Sequence, residues 1–235
     1  MLKLFISAQN DAHVVISDGN NQGSPPIPPI KKLAIVKFTF YNYLICVTWE
    51  ECNLRIISGS RRGQKLIEFD GMDIRPTTDR VRESIFNLIQ EFIYQSSVLD
   101  LFSGSGALSF ESLSRGAASA VCVDIDKRSV AVICENSKRL KFSENISIIN
   151  NSAQNFIKSC NNKFNIIFLD PPYNKGFIKP IIDDIVRFDI LEDEGIIVLE
   201  SDSIDEHGEM DGLTILKQRK YGRTFVTIYQ RGDTI

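Results

Sequence analysis

Val98-Leu99-Asp100-Leu101-Phe102-Ser103-Gly104-Ser105-Gly106-Ala107 is an apolar run that stops at an acid and opens into a glycine loop. Glycines after a strand let the backbone turn tightly and approach a ligand closely, and the helix that follows presents its amino end to that ligand. Outward from this stretch the chain alternates between the two periodicities. Leu108 to Ser114 reads as a helix, Ala120-Val121-Cys122-Val123-Asp124 as a strand, Val130 to Leu140 as a helix and Ile146-Ser147-Ile148-Ile149 as a strand. Phe164 to Leu169 is a further strand, Ile178 to about Phe188 a helix, and Gly195 to Leu199 a fifth strand. Leu213–Lys217 and Thr224–Tyr229 close the chain as a hairpin. Alternating β and α elements with apolar strands predict an α/β fold: a doubly wound, Rossmann-like, mostly parallel sheet with a C-terminal antiparallel hairpin.

Upstream, Leu54 to Ser60 and Gln64 to Ile67 flank a glycine-serine turn and read as a small hairpin. Arg75-Pro76-Thr77-Thr78-Asp79 is a helix start, with proline, a threonine cap and an acid in the first turn. Val81, Ile85, Leu88, Ile89 and Phe92 carry that helix to about Tyr94. The expected organisation is an extension over 1-52, a small hairpin and helix over 53-95, and the main domain over 96-235. The extension holds Pro25-Pro26-Ile27-Pro28-Pro29, a proline-stiffened linker with no evident chemistry. Leu33 to Trp49 contains Lys37 and Asn42 and is shorter than the roughly 18–20 residues a bilayer span needs, so it reads as a buried strand or hairpin.

The bulk numbers narrow the class. The 235 residues are 43% hydrophobic and 24% charged, a globular composition, and the formal net charge is -3. Nucleic-acid binding therefore requires a local basic surface. Five scattered cysteines without a C-x-x-C pair argue for a reducing cytoplasm, and two distant histidines argue against a structural zinc site. No secretory signal is evident.

Two constellations carry chemistry. Asp124 ends the second strand, twenty positions after Gly104, where an acid accepts hydrogen bonds from both ribose hydroxyls of an adenosine cofactor. Taken alone, the loop also fits a dinucleotide site, but the third glycine of that fingerprint is replaced by Ser109. The second constellation separates the two readings. Asp170-Pro171-Pro172-Tyr173 follows an apolar strand. Its prolines remove two amide donors and leave an acceptor-rich edge. Such an edge holds an –NH2 group by both hydrogens and turns the nitrogen lone pair toward a sulfonium methyl. Tyr173 offers a face for base stacking. Basic residues form the third feature. Arg55, Arg61, Arg62 and Lys65 lie in an acid-free stretch, Arg75, Arg80 and Arg82 follow, and Lys217, Arg219, Lys220 and Arg223 stand near the end.

The stretches Leu54-Arg55-Ile56-Ile57-Ser58-Gly59, Arg62-Gly63-Gln64-Lys65-Leu66, Arg75 to Glu83, Leu99 to Leu108 and Asp170 to Tyr173 resemble the bacterial 16S rRNA guanine-N2 methyltransferases, the RsmD family. The likeness runs from about Cys52 to the end. It implies a class I methyltransferase fold, S-adenosyl-L-methionine as donor, and 16S rRNA or a small-subunit assembly intermediate as partner. By that resemblance Asp100, Gly104 and Gly106 meet the methionine part, Asp124 the ribose, and Ser152 and Ala153 the adenine, with Phe102 and Ile125 also in the cofactor site. Ser152 is shorter than the acidic or amide residue usual there. Asp170, Pro171, Pro172 and Tyr173 are the expected catalytic set. Arg55, Arg61, Arg62, Lys65, Arg75, Thr77, Arg80 and Arg82 are the expected RNA contacts, with no metal, no membrane and a cytoplasmic monomer. The competing readings are an adenine-N6 methyltransferase, a non-catalytic RNA binder with the same fold and, weakest, a dehydrogenase.

Overall fold

A computed structural model of the chain describes residues 54–68, 79–171, 176, 178–204 and 208–232. The expectations for 1-52, Arg75, Thr77, Pro172 and Tyr173 lie outside the described residues.

Five parallel strands form the centre: β1 (Ser97–Asp100), β2 (Ser119–Asp124), β3 (Ile146–Asn150), β4 (Phe164–Leu169) and β5 (Leu191–Ser201). Two more, β6 (Leu213–Tyr221) and β7 (Thr224–Arg231), are antiparallel, and the order is β3-β2-β1-β4-β5-β7-β6. The chain winds outward from β1 to β3, then returns to place β4 on the other flank of β1. That reversal is the switch point where sheets of this kind open a crevice at their carboxyl edge.

The strands are apolar because both faces are covered. Successive residues alternate between two core layers: Val98, Ile166, Phe168, Ile196 and Val198 face one, and Leu99, Ile167, Leu169, Ile197 and Leu199 the other. The first layer is closed by α1 (Asp79–Leu88), α3 (Ala107–Ser114) and α4 (Lys127–Leu140), and the second by α5 (Ala153–Ser159) and α6 (Ile178–Arg187). In α6 the buried residues Ile178, Ile181, Ile182 and Ile185 form one stripe at helical spacing.

Four details depart from the expectations. The helix expected to reach Tyr94 ends at Leu88, and a single turn, α2 (Gln90–Ile93), follows. The Phe92 amide bonds to the Ile89 carbonyl, and the released Leu88 carbonyl accepts from Lys217 Nζ at 2.8 Å. α5 was not expected. It is capped by Ser152, whose Oγ accepts from the Asn155 amide. The strands β5, β6 and β7 run longer than their apolar stretches, because pairing continues through polar residues such as Glu200 and Gln218.

The fourth departure concerns the hairpin. Its strands are held by Ile56–Gln64 and Leu66–Leu54 backbone bonds around a 3₁₀ turn at Gly59–Arg61. Leu54, Ile56 and Leu66 are buried in the same layer as Phe110, Ile133 and Phe168, so this segment shares the main core across the 95/96 boundary. Polar clamps fix it there. Buried Glu111 on α3 accepts from the amides of Ile57 (2.7 Å) and Ser58 (3.0 Å) and from Arg115 Nε (2.7 Å). Asn136 on α4 pairs with both the amide and the carbonyl of Ile67.

Candidate active site

Register alone brings the acidic strand tips together. Asp100 pairs with Cys122 on one side and Phe168 on the other, so Asp124 and Asp170 each stand two residues beyond a neighbour of Asp100. All three lie at the carboxyl edge, on either side of the switch point.

Asp100 is 1% exposed. Its Oδ2 accepts from Ser109 Oγ at 3.0 Å, and Oδ1 has no hydrogen-bond partner among the described residues. Burial pushes its carboxyl up to about 7 against the pull of Ser109, and the charges of Asp170 and Asp124 add to the rise. The Ser109 hydroxyl is in turn 3.1 Å from the Cys122 sulfur, and burial also pushes that thiol up. Ser109, which breaks the dinucleotide fingerprint, is thus the donor that holds the acid of β1. The signal was in the sequence as a hydroxyl where a glycine was expected.

The loop is shaped by its own glycines and by the next strand. Gly104 has φ 52 and donates its amide to Asp124 Oδ2 at 2.8 Å. Gly106 has φ 80, and a Cβ there would sit 2.7 Å from the Phe110 ring. Ser103 Oγ donates to the Asp100 carbonyl at 2.7 Å, and Asn136 Nδ2 reaches the Ser105 carbonyl at 3.2 Å. Asp124 Oδ1 also accepts from the Asp126 amide, and burial raises the Asp124 pKa against these two backbone donors. Asp124 therefore fixes the loop as well as facing the crevice. The Ser129 hydroxyl is a third donor to the same carboxylate, which leaves about one of its roughly four acceptor sites for a ligand hydroxyl.

Beyond Asp124, Ile125 is 74% exposed at the rim. Asn150, at the tip of β3, donates from Nδ2 to the carbonyls of Asp124 and Ile125 at 2.9 and 3.0 Å. It is a positioning contact that its place in a short apolar strand did not announce. Ser152 uses its hydroxyl as the α5 cap, while Ala153 is buried beneath. Phe102 packs partly against the second core layer. Asp170 is half-buried and Pro171 buried at the tip of β4.

The expected RNA contacts divide. Arg55, Arg62, Lys65 and Arg80 are exposed, with Arg55 Nε 3.2 Å from Asp79 Oδ2. Arg82 is corrected: it is 1% exposed, bonded through Nη2 to the Arg55 carbonyl and to Asp79 Oδ1, and burial lowers its pKa. A guanidinium so enclosed holds the hairpin on α1 and does not reach a phosphate. Arg61 is also committed inward. Its Nε donates to the Leu140 carbonyl at 2.8 Å and its guanidinium lies 5.2 Å over the Phe142 ring. Its amide donates to Ser114 Oγ. Ser114 and Leu140 end α3 and α4, and the segment after α3 bonds to Gln95 and Ser96, which precede β1. The Gly59–Arg61 turn therefore sits at the amino edge of the sheet, opposite the crevice. Among the described residues no helix is long and apolar enough to cross a membrane, and no group of three or more His, Cys, Asp or Glu could hold a metal ion.

Comparison with known proteins fits this arrangement. Residues 54–230 match the family model described as conserved hypothetical protein 95. YlbH of Bacillus subtilis (strain 168) is 37% identical over 182 residues, covering 76% of this chain and 99% of the relative. Ribosomal RNA small subunit methyltransferase D of Escherichia coli (strain K12) is 39% identical over 149 residues, covering 63% of this chain and 75% of the relative. The solved structure of yhhF from Escherichia coli superimposes with a TM-score of 0.70 at 35% identity, over 75% of this chain and 97% of that one. With the model spanning most of its length and YlbH matched almost end to end, the chain belongs to the conserved hypothetical protein 95 family, that of ribosomal RNA small subunit methyltransferase D.

Proposed function

We propose that this protein transfers a methyl group from S-adenosylmethionine to the exocyclic N2 of a guanine in 16S rRNA. The observation that carries the reading is the convergence of Asp100, Asp124 and Asp170 on one crevice at the switch point.

The residues suit this donor. A sulfonium bearing an α-ammonium is cationic, and the crevice gathers three carboxylates. Burial chiefly raises the Asp100 pKa and the charges of Asp170 and Asp124 add to it, so a cation in the crevice favours the ionised carboxyl. Asp100 Oδ1, buried and without a partner among the described residues, is the kind of acceptor a bound donor group satisfies. Asp124 has acceptor capacity left for a ribose hydroxyl, and Ile125 offers an exposed apolar surface beside it for the adenine. Bound there, S-adenosylmethionine supplies an electrophilic methyl group.

The chain's own residues do the rest. A guanine amino group is a weak nucleophile because its lone pair is delocalised into the ring. The Asp170 carboxylate and the carbonyls beside the prolines accept its N–H bonds, orient the nitrogen, and stabilise the positive charge that grows on it. This places the acceptor on β4 and the donor grip on β1 and β2, across one interstrand step. Of the expected cations, Lys65 and Arg80 are exposed and are the proposed phosphate contacts, while Arg62 adjoins the turn at the amino edge, away from the crevice. The substrate is 16S rRNA, alone or within a small-subunit assembly intermediate, and the enzyme acts as a monomer in the cytoplasm.

The test is incubation with labelled S-adenosylmethionine and ribosomal RNA from cells lacking the enzyme, followed by nucleoside analysis. N2-methylguanosine in the small-subunit RNA is the expected product. N6-methyladenosine would transfer the reaction to adenine, and an unlabelled digest would overturn the reading.

A further inference from the structure

The last hairpin carries a charge pattern that the proposed reaction does not use. From Leu213 to Arg231 there is no Asp or Glu, yet the segment contains Lys217, Arg219, Lys220, Arg223 and Arg231. Two of these are occupied. Lys217 bonds to the Leu88 carbonyl and Glu91, and Arg231 to the Leu191 carbonyl, Asp189 and Asp193. The other three, Arg219, Lys220 and Arg223, are exposed and paired with no carboxylate among the described residues. On a chain of net charge -3, three such cations around one tight turn form a local positive field.

Their place in the sheet gives that field a direction. Leu169 pairs with Leu199, Leu199 with Thr227, and Thr227 with Gln218. The next row therefore runs from Asp170 through Glu200 and Val226 to Arg219. Lys220 and the turn at Gly222 and Arg223 lie just beyond it, at the same carboxyl edge as the crevice. Three interstrand steps separate Arg219 from Asp170 along that row, about 14 Å. The turn is stiff: Gly222 has φ 62 in a two-residue loop, Tyr221 packs against the first core layer, and Lys220 lies 4.8 Å over the Phe225 ring.

We infer that Arg219, Lys220 and Arg223 form a phosphate-binding rim that grips the rRNA strand flanking the target nucleotide. This rests on the proposed RNA substrate and adds where its backbone runs. A base delivered to Asp170 draws its flanking strand over the carboxyl edge, and the β6–β7 turn is a cationic feature of that edge on the β4 side of the switch point. Positive charge at that distance holds the backbone without touching the base, so it affects affinity and leaves the chemistry alone.

The test is the triple variant Arg219→Gln/Lys220→Gln/Arg223→Gln, assayed for binding of labelled small-subunit RNA across a salt series and for steady-state methylation. Three lost single-strand phosphate contacts should lower the slope of log affinity against log salt by about 2. The KM for RNA should rise on the order of tenfold, with kcat at saturating RNA and affinity for S-adenosylmethionine unchanged. Arg219→Lys/Arg223→Lys should keep the wild-type slope. An unchanged slope in the triple variant overturns the rim. So does a loss confined to assembled subunits with naked RNA unaffected, which would mark a ribosomal-protein contact. Wild-type protein that binds RNA with the expected salt dependence but transfers no methyl would remove the proposed reaction and leave the rim standing.

Discussion

The two edges of the parallel sheet differ in what their polar groups are for. At the amino edge, polar groups are consumed by the fold: Arg61 caps the end of α4, Ser114 ties the 3₁₀ turn, and Arg115 closes on Glu111. At the carboxyl edge the polar groups are crowded and incompletely answered. Among the described residues Asp100 keeps an oxygen without a partner and three cations on the β6–β7 turn meet no acid, while burial, with the charges of Asp170 and Asp124 added, raises the Asp100 pKa. Polar groups satisfied internally contribute rigidity; groups held in unfavourable company at a strand tip retain interaction energy for a ligand. The contrast separates residues that should govern stability from those that should govern turnover.

The largest effect expected from breaking the contrast is at Asp170. Asp170→Ala should lower methyl transfer by about 100-fold or more, as loss of a preorganised charge-stabilising group does. Affinity for S-adenosylmethionine, measured by calorimetry, should stay near wild type. Retained turnover would remove the acceptor role. Gly59→Ala probes the opposite edge. A Cβ there lies 1.9 Å from the Ser114 carbonyl oxygen on a residue at φ 82. Thermal and denaturant unfolding should show a loss of about 3 kcal/mol, with kcat of the folded fraction unchanged. A purely catalytic defect would contradict the division of labour.

A smaller effect sharpens the comparison through pH. The Asp100 pKa is raised from 3.8 to about 7, so the folded protein keeps a proton that the unfolded chain has lost between those values. Its contribution to stability is present at low pH and disappears as pH rises through about 7. A cationic ligand selects the ionised carboxyl. Affinity for S-adenosylmethionine should therefore rise on the order of tenfold between about pH 6 and about pH 8, with proton release. Calorimetry in buffers of different ionisation enthalpy reads both; a flat profile without proton release would detach Asp100 from the donor.

The alternation from Val98 onward was enough to read the sheet, because strands buried on both faces leave uninterrupted apolar runs. The acidic strand tips were legible for the same reason: an acid ending such a run has a fixed address in the topology. α5 escaped because seven residues with three buried apolar positions give too little pattern to stand out. The basic residues were the least legible. Arg61, Arg62 and Arg82 look alike in the chain, yet one lies over an aromatic ring, one is exposed and one is enclosed. A cation's role depends on partners distant in sequence, here the Leu140 carbonyl for Arg61 and the Arg55 carbonyl for Arg82. Ser109 reads as a missing glycine in the sequence, and the turn through the glycine loop brings its hydroxyl back to Asp100.

The amino-terminal hairpin makes the catalytic sheet indivisible. A fragment beginning at Ser97 would keep every strand and every acid of the crevice, yet it would strip Glu111 of two amide donors and Asn136 of its pairing with Ile67. It would also open to water the apolar layer that Leu54, Ile56, Leu66 and Phe86 now seal. Because Asn136 also holds the Ser105 carbonyl, excision of the hairpin would loosen the glycine loop itself. The segment that first looked like an accessory is part of what keeps the glycine loop in shape.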